Sequence, residues 1–280
     1  MWWTLLWGGV AGGAVLLGAL AGIYLTVSAK VIGVVMAFGA GVLISAMAFS
    51  LTREAFDKGG ALAVTVGLAL GALAFFGGDW ILDHHGGRDR KRSGGQKGAH
   101  GKAGGSGGGM ALALGALLDG IPESAAIGIT LLGGGSIGIP MVAAVFLSNV
   151  PEGWSSSAGM RKSGKSTRYI LTLWLAVTAA AAISSLLGYV LLGLAPDVVV
   201  GGVQAFAAGA IITMLADTMM PEAYERGGPT IGLVTALGSR SPFCCGRRRR
   251  ALHEPACAVR RCYSNGGERP SSLSCRSRAA

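Results

Sequence analysis

No cysteine occurs before Cys244. All five (Cys244, Cys245, Cys257, Cys262 and Cys275) lie near the C-terminus. A disulfide framework or a thiolate metal site is thereby excluded from most of the chain. Charge is scarce as well: Asp, Glu, Lys and Arg make up 14% of 280 residues, against roughly 25% in soluble domains. The Gly-rich segment 104–109 lacks the Lys-Ser/Thr that would complete a phosphate-binding loop, so ATP drive within this chain is not expected. The N-terminus lacks the basic n-region of a signal peptide: its first basic residue is Lys30, after a whole apolar run, which predicts a retained first span.

Apolar residues fill the gap. They amount to 51%, the mean hydropathy is +0.54, and 48 glycines point to helices packed closely in lipid. The net charge of +10 first suggests a nucleic-acid partner, but residues 239–280 carry +8 of it, and no nucleic-acid partner is expected. A spanning helix needs about 20 apolar residues. Such runs fall at roughly 2–24, 31–52, 60–82, 110–132, 139–160, 169–194 and 200–222, with an eighth starting at Pro229 and cut short. The expected fold is therefore all-α, a polytopic membrane bundle of about eight transmembrane helices. Residues 1–238 form its transmembrane domain, with a cytoplasmic Gly/basic/His loop at 83–109.

Orientation follows from the basic residues, which stay on the cytoplasmic side. Loops after spans 1, 3, 5 and 7 carry Lys30, the Arg88–Lys102 group, the Arg161–Arg168 group and Arg226. Loops on the other side carry only Arg53 and Lys58, balanced by Glu54 and Asp57. The expected location is the cell membrane, multi-pass, with the N-terminus outside. An internal repeat agrees. Phe38-Gly-Ala-Gly-Val-Leu-Ile-Ser through Glu54-Ala-Phe-Asp-Lys-Gly-Gly60 aligns without gaps on Phe206-Ala-Ala-Gly-Ala-Ile-Ile-Thr through Glu222-Ala-Tyr-Glu-Arg-Gly-Gly228. It pairs span 2 with span 7, which cross in opposite directions, the footprint of an inverted repeat of spans 1–3 and 6–8 around spans 4 and 5.

Spans 4 and 5 share a second match, Leu118-Asp-Gly-Ile-Pro-Glu-Ser124 and Leu147-Ser-Asn-Val-Pro-Glu-Gly153. A carboxylate at membrane depth persists only when paired, hydrated or bound to a cation. Pro122 and Pro151 are expected helix breaks that free the carbonyls of Leu118 and Leu147. Asp119 and Glu123 share a helix face, as do Ser148 and Glu152. If those faces meet, they offer an oxygen-rich set with the Asn149 amide, suited to divalent cations and by softness alone to Mg, Ca or Mn over Zn. The bland alternative is a pair of kinked helices whose glutamates face water at a helix end.

The doubled Pro-Glu motif, eight spans, outside N-terminus and basic loop after span 3 resemble the ZIP (ZRT/IRT-like) metal-transporter family over about Met1 to Gly238. The resemblance implies a metal centre on spans 4 and 5, typically built on a His-Asn-x-Pro-Glu-Gly pattern, and import of zinc, iron, manganese or related ions. Zinc is the family's first expectation. Asp119 stands where the span-4 histidine would be and Gly120 where the asparagine would be, while Pro122 and Glu123 match. In span 5, Ser148 takes the first ligand position and Asn149, Pro151, Glu152 and Gly153 fit. The expected metal residues are Asp119, Glu123, Ser148, Asn149 and Glu152, with one metal or two left open.

Asp217 is a candidate for the ion path, while Glu54 and Glu222 read as solvated helix ends. His84, His85 and His100 could capture metal on the cytoplasmic side, a role implied by the family's His-rich loops. Residues 239–280, basic and rich in Cys, Arg and Ser, read as a disordered or frame-shifted tail that replaces the end of span 8. The chain is expected to be a carrier, not an enzyme. Its expected partners are membrane lipid and the transported metal ion, with no permanently bound cofactor and a homodimer left open. Two other classes stay open: a proton-coupled carrier of a small solute that uses the same carboxylates, and, ranked last, an intramembrane hydrolase.

Overall fold

The computed structural model describes residues 2–84, 107–133 and 138–240. Among the described residues the chain is all-helical, without a β-strand. Helices α1 (Trp2–Tyr24) and α2 (Ala29–Ala46) are followed by a π-helical turn (Met47–Leu51) and α3 (Thr52–Leu82). Next come α4 (Gly107–Thr130), α5 (Gly138–Lys162), α6 (Thr167–Leu192) and α7 (Asp197–Met214). A second π-turn (Leu215–Met219) leads into α8 (Met220–Gly227), and residues 231–240 form α9. Ser28 and Ser166 begin α2 and α6 as N-caps, their hydroxyls accepting from the Val31 and Tyr169 amides. His85, His100 and residues 241–280 of the expected tail lie outside the described residues.

Among the described residues, four stretches are long and apolar enough to cross a membrane: Trp2–Tyr24, Ala29–Leu82, Thr167–Leu192 and Asp197–Gly227. The second has 54 residues. As one straight helix it would measure about 80 Å, more than twice the roughly 30 Å hydrocarbon core of a bilayer. Gly60 breaks it, with φ 70° and ψ −177°, a conformation open to a residue without Cβ. The expected loop at Arg53–Lys58 is instead helical up to that glycine. The reason is local: Glu54 and Lys58 are four apart and pair at 2.7 Å, which favours the helical turn. Helices α4 and α5 have 24 and 25 residues. They are not among the four apolar stretches, and α5 carries the polar run Ser148, Asn149, Glu152, Ser155, Ser156 and Ser157.

Helix α1 is the hinge of the packing. A Cβ at Gly18 would overlap the Val150 carbonyl, and one at Gly22 the Trp154 carbonyl, so α1 and α5 touch backbone to backbone. On its other side, Thr178 of α6 donates to the Gly12 carbonyl at 3.0 Å and Ser185 to the Thr4 carbonyl at 3.2 Å. Ser184 of α6 likewise donates to the Ile121 carbonyl of α4 at 3.1 Å. The main apolar core runs through α1, α2, α4, α5 and α7, with Ala11, Leu43, Ile127, Val145 and Ile211 buried in it.

The aligned segments, 168 positions apart, share more than sequence. Each has a π-turn, at Met47–Leu51 and Leu215–Met219. Each has an i, i+4 ion pair at 2.7 Å, Glu54–Lys58 and Glu222–Arg226. Each closes on a glycine of positive φ, Gly60 at 70° and Gly228 at 77°. Packing is reciprocal too. Gly33 of α2 lies against Ala223 and Gly227, and Gly201 of α7 lies against Ala55 and Gly59.

Candidate cation site

One cavity gathers the residues that the two Pro-Glu motifs single out. Helix α4 supplies Gly115, Ala116, Asp119 and Glu123 from one face, spaced by turns. Helix α5 supplies Ser148, Asn149, Glu152 and Ser156 with the same spacing. Met36 of α2 closes one wall; Met214 comes from the end of α7, Thr218 and Met219 from the π-turn, and Glu222 from α8. About 60 Å³ is open to the centres of water-sized spheres, room for a few waters or a partly hydrated ion.

All five expected metal residues line this cavity. Glu123 is the most deeply buried, at 1% exposed, and its Oε2 has no hydrogen-bond partner among the described residues. Ser148 donates to the Val145 carbonyl at 2.9 Å, which leaves its hydroxyl oxygen as an acceptor. Asn149 donates through Nδ2 to the Ala11 carbonyl of α1 at 3.3 Å, so Oδ1 remains as the amide's acceptor. Asp119 and Glu152 are half-buried. The wall is thus rich in acceptor oxygens and carries three carboxylates from α4 and α5.

The carboxylates share a cavity without converging on a point. Among the described residues, no three His, Cys, Asp or Glu side chains come together as a ready-made ligand set. Asp119 and Glu123 sit on successive turns of one helix and Glu152 on another, and like charges gathered without a cation repel one another. Nor do the prolines break their helices. Both α4 and α5 run through Pro122 and Pro151. A proline forfeits one intrahelical hydrogen bond, and close neighbours can cover what it frees. The Leu147 carbonyl lies against Gly39 of α2, where a Cβ would stand 3.0 Å from its oxygen.

Two expectations shift. Asp217 is exposed and does not line the cavity; Thr218, beside it in the π-turn, does. Glu222, read from sequence as a solvated helix end, lines the cavity with a side chain 14% exposed. It pairs with Arg226 at 2.7 Å and accepts from Ser155 of α5 at 3.2 Å. Arg226 also donates to the Ser155 hydroxyl, so it is tied into the protein and is no free loop charge. A signal for Glu222 was present: the chain has three Pro-Glu pairs, at 122–123, 151–152 and 221–222, and all three glutamates line the cavity. Ser156, Thr218 and the three methionines had no comparable signal. His84 is exposed at the end of α3, its Nδ1 2.8 Å from the Trp80 carbonyl and its ring against the Trp80 indole. Compared with known protein families and with curated proteins, the chain matches none.

Proposed function

We propose that this chain is a multi-pass membrane transporter that moves divalent metal ions, zinc first and iron or manganese next, into the cytoplasm by alternating access. The observation that carries the proposal is the cavity itself. Three carboxylates, a hydroxyl and an amide from two Pro-Glu helices line one space large enough for an ion and a few waters. Carboxylates in such a place need a counter-charge, and a cation passing through supplies it. A loosely gathered set fits cargo in transit better than an ion held for good, since conduction needs ligands that also let go. Met36, Met214 and Met219 add thioethers to the wall, which moves the preference from Mg and Ca toward softer transition ions.

In this reading the chain crosses the membrane eight times, with α4 and α5 as spans between two inverted units. The matched π-turns, ion pairs, positive-φ glycines and reciprocal glycine contacts support the repeat. The basic residues at the C-terminal end of α5 and after α3 support an outside N-terminus in the cell membrane. The chain acts as a carrier of the ZIP kind and not as an enzyme. A cation leaves its water on Asp119, Glu123 and Glu152, then passes along α5 toward Ser156 and the cytoplasmic loops. Among the described residues no ligand trio converges, which favours one second reading, a proton-coupled carrier of a small solute that uses the same carboxylates. The test is uptake of zinc, manganese and iron(II) into liposomes that hold the full chain, beside Glu152→Ala. Ion uptake that vanishes in the variant is the expected result. No uptake of any of the three by folded protein moves the assignment to the proton-coupled carrier.

A further inference from the structure

Glu222 has two faces. One borders the cavity, and the other is held by Arg226, whose guanidinium also donates to Ser155 on α5. The cluster is largely shielded from solvent: the Arg226 side chain is 9% exposed, that of Glu222 14%, and Ser155 is 7% exposed. Ser155 lies three residues after Glu152 and next to Ser156, both of which line the cavity. The cluster therefore marks the end of the cavity from which α5 continues to Arg161 and Lys162.

An arginine cannot shed its charge in a protein, so its hold on Glu222 ends only by movement or by competition with another cation. A cation beside Glu152 does both at once. It repels the guanidinium bonded to Ser155, one turn of α5 beyond Glu152, and competes for the same carboxylate. The geometry points to Arg226 as a tethered cation that occupies a further cargo station at Glu222, and to the Glu222–Arg226–Ser155 cluster as the gate through which a divalent cation leaves the cavity. This rests on the metal-transport reading and adds to it a station on α8 and the residue that keeps it filled. Glu54–Lys58 in the first half is the matching ion pair, but Glu54 does not line this cavity, so the gate belongs to one half only.

The experiment uses the full chain in lipid nanodiscs with Mn²⁺ as the probe, its bound fraction read by electron paramagnetic resonance. Arg226→Gln is expected to bind one more Mn²⁺ per chain than the natural sequence. The neutral double variant Glu222→Gln/Arg226→Gln should return to the natural stoichiometry. Ser155→Ala keeps the ion pair and removes the hydroxyl that accepts from the guanidinium and donates to Glu222; it should tighten Mn²⁺ binding by about threefold or more. If Arg226→Gln does not fold, Ser155→Ala alone decides. Equal stoichiometry and affinity in all these proteins, with Mn²⁺ binding still abolished by Glu152→Ala, would overturn the gate and leave the transport reading standing. No Mn²⁺ binding by the natural sequence would overturn both.

Discussion

Glu54–Lys58 and Glu222–Arg226 stand at matched places in a repeated segment, each after a π-turn and each just before a glycine of positive φ. Only the second borders the cavity. The difference does not come from the segments, whose local structure agrees down to the 2.7 Å ion pairs. It comes from what packs against them. Each copy lies against a glycine of the other half, Gly201 of α7 for the first and Gly33 of α2 for the second, and the second also meets Ser155 of α5. Helices α4 and α5 have no part in the aligned segments, and in the transport reading they decide which copy serves the cation path. A symmetric frame with an asymmetric insert gives structural features in pairs and functional features singly.

The sharpest way to break that comparison is to neutralise carboxylates in each half. Loss of even an outer-shell partner of a metal costs 10–100-fold in affinity or activity. Glu152→Ala and Glu123→Gln should therefore lower metal uptake by at least about 100-fold. Glu222→Gln should lower it by about tenfold, because a cation loses one of several carboxylates on its way. Glu54→Gln should stay within about twofold, as expected of a partly exposed ion pair remote from the path. The four initial rates of zinc uptake, taken side by side, settle this. A Glu54→Gln loss as large as that of Glu222→Gln would mean that both halves carry cargo.

Structural features should behave in the opposite way. Gly60→Ala and Gly228→Ala each force a Cβ into a left-handed conformation, at a cost of about 1–2 kcal/mol apiece. Thermal unfolding in detergent should show two losses of similar size. Costs that differ by more than about 1 kcal/mol would show that the two turns carry different loads despite their matching angles.

Much of this arrangement is legible in the sequence for definite reasons. The long apolar helices stand out because bilayer thickness sets such a length, and α1 and α6 end within a few residues of the limits expected from hydropathy. Asp119 and Glu123, like Ser148 and Glu152, reach one cavity because a spacing of four places them on one helix face. What was hidden depends on departures from that period. The turn at Leu215–Met219 is π-helical, so counting by 3.6 around it misplaces every side chain that follows. Glu222 read as a solvated helix end, yet Pro221 before it sits in the first turn of α8, where a proline is well tolerated, and the helix continues through Glu222. Whether α4 and α5 would meet at their acidic faces lay in the tertiary packing, in particular in how closely Gly18 and Gly22 let α1 approach α5.

The same π-turn supplies the finest test. Asp217 carries the more obvious chemistry, a charge inside an apolar run, while its neighbour Thr218 carries only a hydroxyl. Yet Asp217 is exposed and Thr218 lines the cavity, in a π-turn whose wider winding takes its side chains out of the 3.6-residue register. If position and not charge decides function here, Asp217→Asn should leave zinc uptake within about twofold, the effect of a solvated surface charge. Thr218→Val keeps the shape and removes one oxygen from the wall, and should slow uptake by about three- to fivefold, in proportion to one neutral hydrogen bond. The reverse order would mean that the turn refolds to regular α-helix during transport and swings Asp217 inward. That outcome would make the π-turn the moving part, and the matching turn at Met47–Leu51 would then be the next place to look for motion.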